Sequence, residues 1–196
     1  MCLSIPGLAA ASRWYVGVGY GSAYSENADE NVYAITAPMT APVASYATSY
    51  GASSIFGGYQ FTRYAALELA YTDFGTYNLN AIDAASGATY AESDQISALS
   101  MSFISYYPVN RVFSVFWKLG IASTTDSETC SSSSSPCASH SSVGLTPLLG
   151  IGGNIALNPA INLRFEYDEY DNIGNTYWDY TAGTFSNVNV SVLFRF

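Results

Sequence analysis

The chain has 196 residues, the length of one domain, and only 11% of them are charged while 15% are aromatic, including seventeen Tyr and ten Phe. So few charges leave a soluble domain poorly solvated, and a net charge of −9 excludes the basic surface that a nucleic-acid partner requires. No run approaches the ~18 uninterrupted apolar residues of a transmembrane helix, so a closed strand barrel is the remaining way to satisfy the backbone in lipid.

Residues 1–11 stand apart. They are apolar and end in Ala9-Ala10-Ala11, an A-x-A-like cleavage site before Ser12. They are expected to be the remnant of an export signal and are set outside the fold, although a basic start is missing; a disordered terminus or a short amphipathic plug is the alternative reading. Residues 12–196 form the expected barrel domain.

Eight strands are predicted from period-two alternation. The first, residues 13–22, sets Trp14, Val16, Val18 and Tyr20 against Tyr15, Gly17, Gly19 and Gly21. The second, 53–61, aligns Ile55, Tyr59 and Phe61. In the third, 64–73, Leu67, Leu69 and Tyr71 face outward and Glu68 inward. The fourth, 95–107, puts Leu99, Met101 and Phe103 outward and Ser100 and Ser102 inward. The fifth, 112–124, directs Phe113, Val115, Trp117, Leu119 and Ile121 outward, with Ser114 and Lys118 on the other face. The sixth, 143–157, has Leu149, Ile151 and Ile155 outward. The seventh, 160–170, opposes Ile161, Leu163, Phe165 and Tyr167 to Asn162, Arg164, Glu166 and Asp168. The last, 187–196, alternates Val188, Val190, Val192, Phe194 and Phe196 with polar residues and closes on an aromatic carboxy-terminal residue.

The connections alternate in length. Thr62-Arg63, Pro108-Val-Asn110 and Asn158-Pro159 make short turns, while residues 24–52, 74–94, 125–142 and 171–186 read as long loops with little periodicity. Short turns on one side and long loops on the other are the layout of bacterial outer-membrane barrels. The parity excludes a lipocalin-like barrel with an apolar interior. Arg164, Glu166 and Asp168 share one face, and placing them toward lipid would cost several kcal/mol, whereas a narrow eight-stranded lumen is filled by side chains that can pair. The fold class is therefore all-β, an eight-stranded antiparallel up-and-down transmembrane β-barrel.

At these residues the chain resembles the eight-stranded transmembrane domain of the outer membrane protein A (OmpA-like) family. The matching stretches are Trp14-Tyr-Val-Gly17, Phe56-Gly-Gly-Tyr-Gln60, Ala66-Leu-Glu-Leu-Ala-Tyr71, Lys118-Leu-Gly120 and Thr146-Pro-Leu-Leu-Gly150. The run from Asn158-Pro159 through Arg164-Phe-Glu-Tyr167 to Asn172-Ile-Gly174, and the ending Leu193-Phe-Arg-Phe196, complete an ordered set. Two departures stand out: no peptidoglycan-binding domain is expected to follow, and Gly19 stands where some relatives place an inward basic residue.

By parity, Glu68, Lys118, Arg164 and Glu166 point inward, five to nine residues above their short turns. Tilted strands rise about 2.4 Å per residue along the barrel axis, from ~3.3 Å and a tilt near 45°. That gathers the four into one layer about 10 Å thick, two acids against two bases, with Asp168 higher up. The resemblance implies that these four match a lumenal ion-pair network proposed to gate a small pore. A permanently closed polar plug is the alternative.

Trp14, Tyr20, Tyr59, Tyr71, Tyr107 and Tyr167 are expected in the aromatic girdles, against ordinary strand propensity for any one of them. Cys130 and Cys137 bracket a Ser-rich segment and are read as a local disulfide suited to an oxidising compartment, with two free thiols as the alternative. His140 and Ser142 are similar to the His-x-Ser of lipid-A deacylases on small barrels, but the sequence shows no acid convincingly placed to orient the His, and an enzyme is not expected. No cofactor or structural metal is expected, and the acidic loops are either solvated or bridged by Ca²⁺ or Mg²⁺ to lipopolysaccharide.

The expected role is structural or surface-facing: envelope integrity and adhesion through extracellular loops, in the bacterial outer membrane, as a monomer. A small-solute pore is the first alternative and a lipid-modifying enzyme a distant one. Expected partners are outer-membrane lipid and lipopolysaccharide, the barrel-assembly machinery through Phe196, and a host or cell-surface ligand at the loops.

Overall fold

The computed structural model describes residues 13–25, 42–46, 49–83, 85–133, 139–173 and 183–196. Within them the chain forms β1 (Trp14–Ser25), β2 (Pro42–Tyr46), β3 (Ser49–Thr62), β4 (Ala65–Asp83), β5 (Thr89–Pro108), β6 (Phe113–Ser132), β7 (His140–Ala156), β8 (Ile161–Ile173) and β9 (Gly183–Arg195). Every pairing is antiparallel, and each neighbour in the ring follows the chain. β1 pairs with β3 on one side and β9 on the other, so the sheet closes and no lateral edge is left in the bilayer. The barrel has eight staves, because β2 pairs only with the far end of β4, in line with β3.

The predicted parity holds across the spanning region. Trp14, Val16, Val18, Leu69, Leu99, Met101, Trp117, Leu119, Ile151 and Phe165 are exposed on the outside, while Glu68, Ser100, Ser102, Lys118, Arg164 and Glu166 are buried in the lumen. A soluble protein would not expose such a belt; one in lipid must.

Two of the three short turns share a chemistry. Asn110 Oδ1 accepts from the backbone N–H groups of Val112 and Phe113, both at 2.8 Å. Asn158 Oδ1 accepts from those of Ala160 and Ile161, both at 2.9 Å. An Asn side chain standing in for a backbone acceptor reverses the chain without a glycine.

The strands are much longer than the alternation predicts. β5 and β6 run 20 residues each and β4 runs 19, against the ~9–11 needed to span. Most of the expected loops 74–94 and 125–142 is therefore paired strand standing beyond the lipid, and Glu92, Asp94, Asp126 and Glu128 lie on strands, not in loops. Two physical causes hide this. The extensions contact water on their outer face, so nothing selects an apolar stripe there. In addition, a β-bulge between Asp73 and Thr76 shifts the register by one residue. Gly75 takes φ 81° there and donates its N–H to Asp73 Oδ1 at 2.8 Å. Below the bulge the even positions of β4 face inward; above it the odd ones do.

Two apolar layers divide the lumen. Near the short turns lie Tyr15, Phe56, Ala66, Ala70, Ile104, Tyr106, Phe116 and Leu193. Toward the long-loop end lie Ala23, Ala52, Phe74, Ile96, Ala98, Ala122, Leu148, Tyr170 and Phe185. In that upper layer the Phe74 ring packs edge-on against Tyr170 at 5.0 Å.

Candidate functional site: a lumenal charge layer

Between those two layers Glu68, Lys118, Arg164 and Glu166 meet. Arg164 Nη1 lies 2.7 Å from Glu68 Oε2 and 3.6 Å from Glu166 Oε2. Lys118 Nζ pairs with Glu166, and lies 3.6 Å from Glu68 Oε1. Asp168 joins them, its Oδ2 3.1 Å from Lys118 Nζ. The expected balance of two acids and two bases is corrected: three carboxylates face two cations. The cause is Gly150, the register partner of both Lys118 on β6 and Asp168 on β8. A Cβ at Gly150 would overlap the Asp168 carboxylate and approach Lys118 Cβ to 3.2 Å, so its absence lets the two side chains meet across β7.

Arg164 is fully buried and held on all sides. Its Nε donates to Asn154 Oδ1 at 3.2 Å and its Nη2 to the Tyr106 hydroxyl at 3.1 Å. Tyr15 donates its hydroxyl to Glu68 Oε2 at 2.8 Å. The rings of Phe56, Phe116 and Tyr15 lie 4.9, 5.0 and 5.7 Å from the guanidinium carbon. Each of those rings sits opposite a glycine in register: Phe56 with Gly17, Tyr15 with Gly58, and Phe116 with Gly152. A Cβ at any of the three glycines would collide with its ring. The lumenal glycines make room for the aromatic cage, and the cage encloses the arginine. Asp168, expected inward but higher up, belongs to the layer; Tyr15, Tyr106 and Asn154 are the members of the site not singled out from the sequence.

Breaking such a network leaves an uncompensated charge in a low-dielectric interior, at about 3–5 kcal/mol for one partner. The chemistry it offers is electrostatic closure, with no nucleophile in the layer.

The remaining expected residues fall elsewhere. Trp14, Tyr59 and Tyr107 stand at the short-turn ends of their strands, the first two with ring centroids 4.9 Å apart. Tyr20, Tyr71 and Tyr167 also face outward, each six residues beyond the first residue of its strand, about 15 Å higher along the axis. Cys130 lies near the far end of β6, and Cys137 is outside the described residues, as are residues 1–11. His140 begins β7, where the register sets Glu128 opposite it and Asp126 opposite Ser142. Linear spacing does not show those acids, because they stand opposite these two positions only through cross-strand register. Glu92, Asp94 and Glu128 gather above the membrane, where the Tyr90 hydroxyl donates to Glu92 Oε2 at 2.8 Å. Burial, and then that bond to the carboxylate, raise the Tyr90 pKa.

Charge is segregated along the axis. Above Lys118 the described residues carry Asp73, Asp83, Glu92, Asp94, Asp126, Glu128, Glu169 and Asp171 and no Lys or Arg, while Arg13, Arg63, Arg111 and Arg195 cluster at the short-turn end.

Comparison with known proteins agrees with this architecture. The fold is similar to that of the Neisserial surface protein A, at a TM-score of 0.62 and 13% identity over 94% of this chain and 98% of that one. It is also similar to the N-terminal β-barrel domain of Pseudomonas aeruginosa OprF, at 0.56 and 11% over 94% and 98%. For the Yersinia pestis attachment invasion locus protein Ail, solved in complex with the heparin analogue sucrose octasulfate, the values are 0.50 and 9% over 94% and 99%. No curated protein sequence matches the chain. The OmpA-like transmembrane domain family matches residues 9–196, and with the closed eight-stave barrel in hand the chain belongs to that family.

Proposed function

We propose that this protein is a closed structural barrel of the Gram-negative outer membrane that acts through surface contact at its long-loop end. The observation that carries the reading is the stacking of the lumen: an ion-paired charge layer lies between two buried apolar layers. A solute path would have to part all three. The outward belt and the family support the location, with the long-loop end extracellular and Phe196 available to the assembly machinery.

The surface role rests on the β4–β5 hairpin and on the paired far ends of β5 and β6, which stand well clear of the bilayer. Their charge narrows the partner. Ail was solved with a polyanion, but a rim of carboxylates repels sulfated glycans and favours a cationic protein surface, or lipopolysaccharide bridged by divalent cations. A Cys130–Cys137 disulfide is proposed to close the end of the β6 extension. No catalysis is proposed.

Conductance in planar bilayers tests the reading. Wild type and Lys118→Ala should both stay silent, with the variant less stable by about 3–5 kcal/mol in lipid-vesicle unfolding. Steps that appear in wild type, or that open in Lys118→Ala, would replace the closed barrel with the rival reading of a pore gated by the same ion pairs.

A further inference from the structure

The short-turn mouth of the barrel holds a cavity of about 170 Å³. Arg63 enters its lining from the β3–β4 turn, Arg111 from the β5–β6 turn and Arg195 from the end of β9. The strand order spreads these three around the mouth instead of along one side. The amides of Asn110, Asn154 and Asn162 supply further polar groups, and no carboxylate side chain lines the cavity. Among the described residues none of the three arginines forms an ion pair, whereas both lumenal cations above them do. Arg195 is nonetheless held in place, donating to Gln60 Oε1 at 2.5 Å. The roof is Tyr106 and Asn154, which grip Arg164, so the cavity ends blindly at the plug.

Three arginines lining one mouth, with no carboxylate side chain among them, give it a positive field that favours an anion. Their forks match tetrahedral oxyanions, which offer separate oxygens to separate arginines; a single carboxylate satisfies one fork. The volume is below the ~300 Å³ at which drug-sized pockets begin, enough for a phosphate with a short substituent, while anything larger stays outside the mouth. We propose that this vestibule is a binding site for a small phosphate-bearing anion. Because it opens along the bore, the phosphate comes either from solution or from a phospholipid headgroup at the mouth.

The test uses the folded full chain in nanodiscs of zwitterionic lipid, titrated with inorganic phosphate and glycerol phosphate and followed by calorimetry and phosphorus NMR. Saturable binding is expected, weakened roughly tenfold or more in Arg111→Gln and further in the Arg111→Gln, Arg195→Gln double variant. Arg13→Gln should bind as wild type, because Arg13 is absent from the lining and donates to Tyr59 at 3.3 Å. Retained heat-modifiable gel mobility shows that each variant is still a barrel. In a second arm the discs contain phosphatidylglycerol; an arginine-dependent headgroup signal that free phosphate displaces assigns the phosphate to lipid. No saturable binding in either arm, equal binding by the double variant, or equal affinity for chloride would overturn the site.

Discussion

At the residue scale the plug is built by what is left out. Gly17, Gly58 and Gly152 each leave a gap that an opposed ring fills, and those rings surround Arg164. Gly17→Val should therefore act at a distance: a Cβ there would stand 2.6 Å from Phe56 Cε2, so the ring must leave the guanidinium. A loss of about 1–3 kcal/mol is expected from overpacking, together with a changed Phe56 ring resonance by NMR; an unchanged ring environment would refute the cage. On the outer face, Leu119 is 52% exposed, six residues above the start of β6. Leu119→Arg should cost about 2–4 kcal/mol in vesicle refolding, the toll of a base near the bilayer midplane. Normal refolding would contradict the outward assignment. The inward positions of Glu68, Lys118, Arg164 and Glu166 were legible from parity alone, because a lipid-facing charge is so costly. The part played by Asp168 was not, because it depends on Gly150 being the register partner of two charged residues on different strands, which linear spacing does not reveal.

At the element scale, legibility stops where the lipid stops. Inside the bilayer every strand must alternate, and all eight staves were visible for that reason. Beyond it, residues 77–83 and 89–94 have no apolar stripe to keep, and the Gly75 bulge reverses the phase of 77–83, so paired strand reads as loop. The short segment β2 escaped for the same reason, since its pairing with Ile82 and its neighbours lies wholly in that polar zone. These extensions lack the lumenal plug and should open independently of the barrel, with amide exchange faster than in residues 65–72. The proposed Cys130–Cys137 bond would act only there. Maleimide should label neither thiol before reduction, and the double Ser variant should lose at most about 2–3 kcal/mol, confined to the extension. Full labelling of both without reductant would remove the bond.

At the scale of the whole molecule, the described barrel is a charged rod: carboxylates at one end, arginines at the other, and an ion-paired middle. Its net charge of −9 is thus an uneven average of two unlike ends. The segregation bears on the history of the folded state as well as its energy. If the short turns remain on the side of entry, every carboxylate of the extensions crosses hydrocarbon once during assembly and would have to cross back for the protein to leave. Each such passage is expensive in either direction. The acid-rich end then serves as a ratchet, and the inserted barrel persists because its exit is slow, whatever its equilibrium stability. Urea titrations in vesicles should accordingly show hysteresis, with unfolding at higher denaturant than refolding. Replacing Glu92, Asp94, Asp126 and Glu128 by their amides should draw the two curves together while leaving the plug untouched; an unchanged gap would place the barrier elsewhere.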